Sequence, residues 1–240
     1  IKLDKIYMEE NKWKLPLYKI YSDDEDVNLV TKIIKRGERW ALGPEIEEFE
    51  NEIKNYVGVD YCLTLNSGTS ALHALLLAYD IGKNDEVIVP SFSFISTANS
   101  VLFVDGIPKF SDIEDDTLGL DPNLVSNNIT AKTKAIIPID YAGLPCKIHD
   151  LKKISQENNI VLIEDAAEAL GSSINGKKTG SVGDSSIFSF CGNKVLTTGE
   201  GGAAVTDSKE IFEKLKKMYD FFYFLYYAIY LDKKMKSAHW

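Results

Sequence analysis

Ile160-Val161-Leu162-Ile163-Glu164-Asp165-Ala166-Ala167-Glu168-Ala169-Leu170-Gly171 is the stretch whose reading decides the fold. Its first four residues are apolar without alternation. Such a run marks a strand covered on both faces, here Ile160–Glu164. An acid, Asp165, follows at once, and then an Ala-rich turn. Val87-Ile88-Val89, inside the expected strand Glu86–Val89, has the same character. Working outward, helical and strand patterns alternate. Tyr61–Leu65, Pro108–Asp112 and Ala135–Ile139 read as strands, with Ser186–Phe190 and Ala203–Thr206 after them. Thr69–Tyr79, Ser96–Val104, Pro122–Asn128 and Ile148–Asn158 read as the helices between strands. This alternation means an α/β domain with a mainly parallel sheet.

Two further helices precede it. Asp26–Lys35 places Val27, Val30, Ile33 and Ile34 on one face. Glu45–Tyr56 does the same with Ile46, Phe49 and Ile53, and Pro44 opens its first turn. The end of the chain differs. Phe221–Tyr227 holds six aromatics in seven positions, with no clean period. A buried helix, an interface patch and an out-of-frame translation of an AT-rich gene are the three readings of this tail. Residues 1–220 are therefore expected as an N-terminal segment plus one large ligand-binding domain, and 221–240 as an atypical aromatic tail.

The composition excludes several classes. Of 240 residues, 45% are hydrophobic and 26% charged, enough for a sizeable core. Net charge is -9, from 27 basic and 36 acidic residues, the reverse of a nucleic-acid footprint. Cys62, Cys146 and Cys191 show no CxxC spacing and no histidine cluster, so neither a disulfide framework nor a metal site is expected. The longest apolar run, Phe221 to Leu231, has 11 residues. A membrane helix needs roughly 18. Few cysteines without a pairing pattern fit a reducing cytoplasm, and no signal-peptide pattern is seen at the N-terminus of the sequence. The first residue is Ile1, which reads as a fragment.

Four features carry chemistry. Lys194 follows a strand and precedes the turn Gly199-Glu200-Gly201-Gly202. A lysine there is ordinarily a solvated surface residue. To act as a nucleophile it needs desolvation, which Phe190, Val195 and Leu196 are placed to supply. Asp165 stands just past a buried strand, on the side where open α/β sheets bind ligands. It reads either as a helix N-cap or as a carboxylate facing a cationic ring nitrogen. Asn66-Ser67-Gly68-Thr69-Ser70-Ala71-Leu72 joins a strand to a helix. It reads as a plain capped helix or as an anion cradle of free N–H groups and hydroxyls. Phe94, in Pro90-Ser91-Phe92-Ser93-Phe94, belongs to the core or stacks on a planar ligand. A lysine amine, a ring-nitrogen carboxylate, a phosphate cradle and a stacking aromatic together are what pyridoxal 5'-phosphate requires.

With these residues assembled, the sequence resembles the DegT/DnrJ/StrS family of pyridoxal-phosphate-dependent nucleotide-sugar aminotransferases. The matching stretches are GPEIEEFE, NSGTSALHALL, DEVIVPSFSFISTANSV, TKAIIPIDYAGLPC, VLIEDAAEALGS and SFCGNKVLTTGEGG, in family order, over about residues 14–218. The resemblance implies the large domain of a fold-type-I pyridoxal-phosphate enzyme. Its sheet is of the seven-stranded type, mostly parallel, with helices on both faces. Lys194 would bond to the cofactor as a Schiff base and later move protons between substrate and cofactor carbons. Asp165 would keep the pyridine nitrogen protonated. Thr69, Ser70 and Ser189 would hold the phosphate, Phe94 would stack on the ring, and Glu168 would lie beside the ring hydroxyl.

The implied reaction moves an amino group from glutamate or glutamine to the keto sugar of a nucleoside diphosphate sugar, for polysaccharide or glycan synthesis, in a homodimer. Lys194 separates the chain from family dehydratases, which carry His there. A cyclitol aminotransferase, a dehydrating enzyme on the same scaffold, and a silent cofactor- or partner-binding fragment are the alternatives. Two departures stand out. Asp140 replaces a frequent His, and the family's small C-terminal domain is largely missing. The remaining candidates read as structural: His73 as a packed or partly exposed helix residue, His149 and His239 as surface, and Cys191 as a small packed residue. Glu114-Asp115-Asp116 reads as a solvated loop. Trp40 lines a substrate channel or anchors the first helices.

Overall fold

The structure is a computed structural model and describes residues 18–40 and 42–220. The aromatic run 221–227 lies outside them, as do the rest of the tail and His239. The described residues fall into two compact units divided after position 41.

The first unit carries helix α1, Asp24–Arg36. Asp23 caps it, accepting from the Glu25 N–H at 2.9 Å, while the Asp26 carboxylate accepts from the Asp23 N–H at 3.0 Å. This reciprocal capping satisfies N–H groups that have no partner within the helix. Gly37, at φ 77°, ends it in the left-handed conformation that a glycine adopts without strain.

The second unit runs α2 (Pro44–Val57), β1 (Tyr61–Leu65), α3 (Gly68–Ala78), β2 (Glu86–Pro90), α4 (Ile95–Phe103), β3 (Ile107–Ser111), α5 (Pro122–Asn128), β4 (Thr133–Ile136) and α6 (Ile148–Asn158). It continues with β5 (Val161–Asp165), the small hairpin β6 (Ser173–Ile174) and β7 (Lys177–Lys178), then β8 (Ser185–Ser189) and β9 (Gly202–Thr206). Residues 209–220 are helical. Seven strands form one sheet in the order β1-β9-β8-β5-β4-β2-β3. The pairings β3·β2, β2·β4, β4·β5 and β5·β8 are parallel, and β9 is antiparallel to both β8 and β1. The mostly parallel α/β sheet expected from the sequence is what forms.

Alternate strand residues feed separate cores, as a period of two requires. Val87, Val89 and Ile163 pack with Leu72, Leu75 and Leu76 of α3 and Val101 of α4. Ile88, Ile136 and Leu162 face the other way, against Val125 of α5 and Leu151 of α6. Ile53 and Val57 of α2 cover Ala203, Val205 and Phe188 on that second face. The expected strand Ala135–Ile139 is shifted to Thr133–Ile136. Pro138 has no N–H to donate, so the regular ladder stops before it. Beyond it only the single bridge Ile139↔Asp165 remains.

Candidate active site

Parallel strands point their carboxyl ends to one edge, and β5 and β8 end there at Asp165 and Ser189. The β1–α3 turn reaches the same edge because Leu65 and Ser189 both pair with Gly202. Between these ends lies a cavity of about 290 Å³, lined by Thr69, Phe94, Asp165, Glu168, Ser189 and Lys194, among others.

Asp165 is buried at 3% exposure. Thr97 Oγ1 donates to its Oδ2 at 2.8 Å, and the Ala167 N–H donates to Oδ1 at 3.3 Å. Burial pushes its pKa up from 3.8 to about 6; the Thr97 and Ala167 bonds oppose the rise, Asp140 adds to it, and Lys194 opposes it. A hydroxyl owns one hydrogen, and that of Thr97 is given to Asp165. Ser93 Oγ, 2.6 Å from Thr97 Oγ1, must therefore be the donor in that pair. A buried acid raised in this way is a site prepared for a cation.

The Lys194 side chain is 14% exposed, so the surface reading does not hold. Its Nζ donates to Glu168 Oε1 at 3.0 Å. The Ala142 N–H donates to Glu168 Oε2 at 2.8 Å. Burial acts to raise Glu168, but the Ala142 N–H and Lys194 outweigh it and hold its pKa below the ordinary value. Glu168 is thus a fixed negative charge beside the amine. At 3.0 Å and an effective dielectric near 20, two unit charges attract by about 5.5 kcal/mol before desolvation is counted. The desolvation expected from Val195 and Leu196 is absent: they are 73% and 41% exposed. Local sequence does not say which way a loop side chain turns. Phe190 is buried, and the cavity wall itself shields the amine.

The cradle is built from glycine. A Cβ on Gly68 would meet the Ser189 Cβ at 3.1 Å, and one on Gly202 would collide with the Ser67–Gly68 peptide. Gly202 must keep its hydrogen for the N-terminus of α3 to sit against β9, and at Gly68 a methyl would be tight enough to make β8 give slightly. Thr69 Oγ1 and Ser96 Oγ lie 2.7 Å apart on the cavity wall.

The DegT/DnrJ/EryC1/StrS aminotransferase family model matches residues 21–222. The chain belongs to that family. GDP-perosamine synthase of Caulobacter vibrioides is 42% identical over 176 residues, 73% of this chain and 47% of that one. The solved structure of the aminotransferase from Psychrobacter cryohalolentis superposes with a TM-score of 0.80 at 31% identity, covering 83% of this chain and 51% of that one. NtdA of Bacillus subtilis, solved with bound cofactor PMP, superposes at a TM-score of 0.76 and 31% identity, covering 84% and 46%. The chain spans about half the length of the curated relatives it matches.

Against the family's expected residues, the structure brings six of the seven together. Ser70 is the exception. It lies about 100° further round α3 than Thr69 and lines a neighbouring groove with His73. There its N–H and hydroxyl meet Ser67 Oγ at 3.1 and 3.0 Å, so Ser67 is the helix cap. Phe94 is 68% exposed at the cavity wall, not part of the core. Glu168 touches Lys194 directly. Cys191 is not a packed core residue: it lines the cavity, with Sγ 3.7 Å from Glu200 Oε1. His73 packs edge-on to Phe103, and burial lowers its pKa, as a packed helix residue requires. Asp140 is fully buried.

Thr97 is the residue that sequence reasoning missed. A threonine on the buried face of an apolar helix needs a partner, and this requirement was the available signal. Among the described residues no helix is long and apolar enough to cross a membrane.

Proposed function

We propose that the protein whose chain this is transfers an amino group from glutamate or glutamine to a keto sugar carried on a nucleoside diphosphate, using pyridoxal 5'-phosphate. One observation carries the reading. A shielded lysine amine and a buried acid, prepared for a cation, share a single cavity with the N-terminus of α3. The residues present fit the cofactor. Asp165 would hold the ring nitrogen, and Thr69, Ser189 and the Gly68 turn would hold the phosphate. Ser70, turned off the cavity with its N–H given to Ser67, would only serve the cap of the helix that carries the cradle; Phe94 would cover the ring, and Lys194 would be the amine that attaches. When bound, the cofactor supplies an electrophilic carbon and a ring that accepts electrons.

The chain's own residues do the rest. Asp165, ionised above about pH 6, keeps a proton on the atom it faces. Thr97 and Ala167 hold its two oxygens in place. Glu168 Oε1 accepts the hydrogen bond from Lys194 Nζ and so holds the amine inside the cavity. The sugar-nucleotide class is supported by the relative named for GDP-perosamine. A role in polysaccharide synthesis, a cytoplasmic location and a homodimer complete the proposal. The exposed Phe94 and Ile95 beside the cavity support a covering surface there.

Borohydride reduction of the chain mixed with pyridoxal phosphate, followed by peptide mapping, tests the reading. Label on Lys194, lost in Lys194→Ala, is the expected result. Glutamate should then bleach the visible band of the unreduced protein. Label confined to other lysines would overturn the assignment.

A further inference from the structure

Next to Asp165, two carboxyl groups are buried against each other. Glu164 precedes Asp165 in β5 and so points to the opposite face of the sheet. Asp140 follows Ile139, the bridge partner of Asp165, and its N–H donates to the Asp165 carbonyl at 3.1 Å. Asp140 is 0% and Glu164 1% exposed. Among the described residues neither is in an ion pair. The groups acting most strongly on the two acids are each other and the Cys146 thiol and N–H, together with the N–H groups of Gly180 and Gly183; none is basic. Asp165 is the other titratable neighbour.

Three of the four oxygens are accounted for. Asp140 Oδ1 accepts from the Cys146 N–H at 2.9 Å. Glu164 Oε1 and Oε2 accept from the Gly180 and Gly183 N–H groups at 2.6 and 3.3 Å. Asp140 Oδ2 is buried with no partner, and the Glu164 carboxyl is the side chain that neighbours the Asp140 carboxyl closely enough to hydrogen-bond with it. Two ionised carboxylates have no hydrogen to place between them. One proton supplies it.

We propose that Asp140 and Glu164 share a single proton across Asp140 Oδ2, and that this bond is a positioning clamp for the loops that hold Glu168 and Lys194. Glu164 ties down the 180–183 turn. Asp140, through Cys146, closes the 140–146 loop. Inside that loop the Ala142 N–H fixes Glu168 Oε2, and Glu168 Oε1 holds Lys194. Ser172 Oγ donates to the Gly143 carbonyl at 2.6 Å and ties the same loop from outside. Ala142 sits at φ 53°, a conformation that needs such restraint.

Burial raises both acids, Glu164 well above its ordinary value. The folded pair therefore keeps a proton that the unfolded chain releases at the ordinary carboxylate pKa. The stability linked to that proton is present at low pH and is lost as pH rises through the raised pKa of the pair.

Infrared spectroscopy of the cofactor-free chain at about pH 8, two units above Asp165, tests the shared proton. The wild type should show the carbonyl stretch of a protonated carboxyl. Asp140→Asn and Glu164→Gln should each abolish it, because an amide N–H then fills the gap, whereas Asp165→Asn should keep it. Acylation of Lys194, followed by mass mapping across pH, tests the clamp. Asp140→Ala should raise the Lys194 rate severalfold, and Asp140→Asn should restore the wild-type profile. A band that survives in both amide variants overturns the shared proton. Equal Lys194 rates in wild type and Asp140→Ala overturn the clamp. Should Asp140→Ala fail to fold, Glu164→Ala, which removes the other half of the pair, takes its place in the acylation arm with the same expected and overturning results. The proposal rests on the functional reading only for the importance of Lys194. Neither arm uses cofactor, so its failure is distinguishable from failure of that reading.

Discussion

Replacing Thr97 with Val removes one hydroxyl from a buried acid and leaves the shape of the side chain nearly intact. Thr97 Oγ1 is 2.8 Å from Asp165 Oδ2, and both residues are buried. A hydrogen bond to a charged group contributes about 1.5–3 kcal/mol. One pKa unit corresponds to about 1.4 kcal/mol, so the loss should raise Asp165 by about one to two units. Its pKa of about 6 would then lie near or above neutrality. The sign follows from linkage. Asp165 is raised in the folded state from 3.8 to about 6, so folding is favoured below the lower value and penalised as pH rises through the higher. The difference of about two units is about 3 kcal/mol. This is free energy that a cationic ligand facing Asp165 recovers.

In Thr97→Val the penalty should grow and its window should extend upward by one to two pH units. The assay is a carbon-13 titration of the aspartate side chains in the cofactor-free chain, with the acid limb of pyridoxal phosphate binding measured in parallel. Both midpoints should move up together, and Thr97→Ser should restore them. An unshifted Asp165 midpoint in the Val variant would refute the hydrogen bond as the restraint on this acid.

Two stability predictions follow from packing. Leu75 is fully buried in the core between α3 and the sheet, and Leu75→Ala should cost about 3–4 kcal/mol in urea unfolding. A loss below about 1 kcal/mol would mean that the core collapses around the cavity. Gly202→Ala drives a methyl into the Ser67–Gly68 peptide, so a loss of about 3 kcal/mol and weaker phosphate binding are expected. Gly82→Ala, whose Cβ would sit in ordinary contact 3.7 Å from the Val104 carbonyl, serves as the control and should change stability by less than about 0.5 kcal/mol. Equal effects at the two glycines would remove the cradle argument.

The sequence by itself determined the strand–helix alternation, because continuous apolar runs and 3.6-residue patterns are local properties of the chain. It also placed Asp165 at a strand end and Gly68–Thr69 at a helix start, since both lie within a few residues of the element that carries them. The antiparallel course of β9 was within reach too. The 12 residues 190–201 that separate it from β8 contain no helix, the element that usually makes the crossover to a parallel strand.

Only the tertiary structure decided what lies across the sheet from each of these residues. Thr97 meets Asp165 from 68 positions away, and Glu168 meets Lys194 from 26. Ser70 turns off the cavity while Thr69 faces it. Val195 and Leu196 turn outward. Asp140 reads in sequence as a departure near the substrate, yet folding buries it against Glu164. The physical reason is common to all of them. Periodicity fixes which residues can share a face. Burial, hydrogen-bond partners and pKa depend on which distant element covers that face, and no local pattern encodes this.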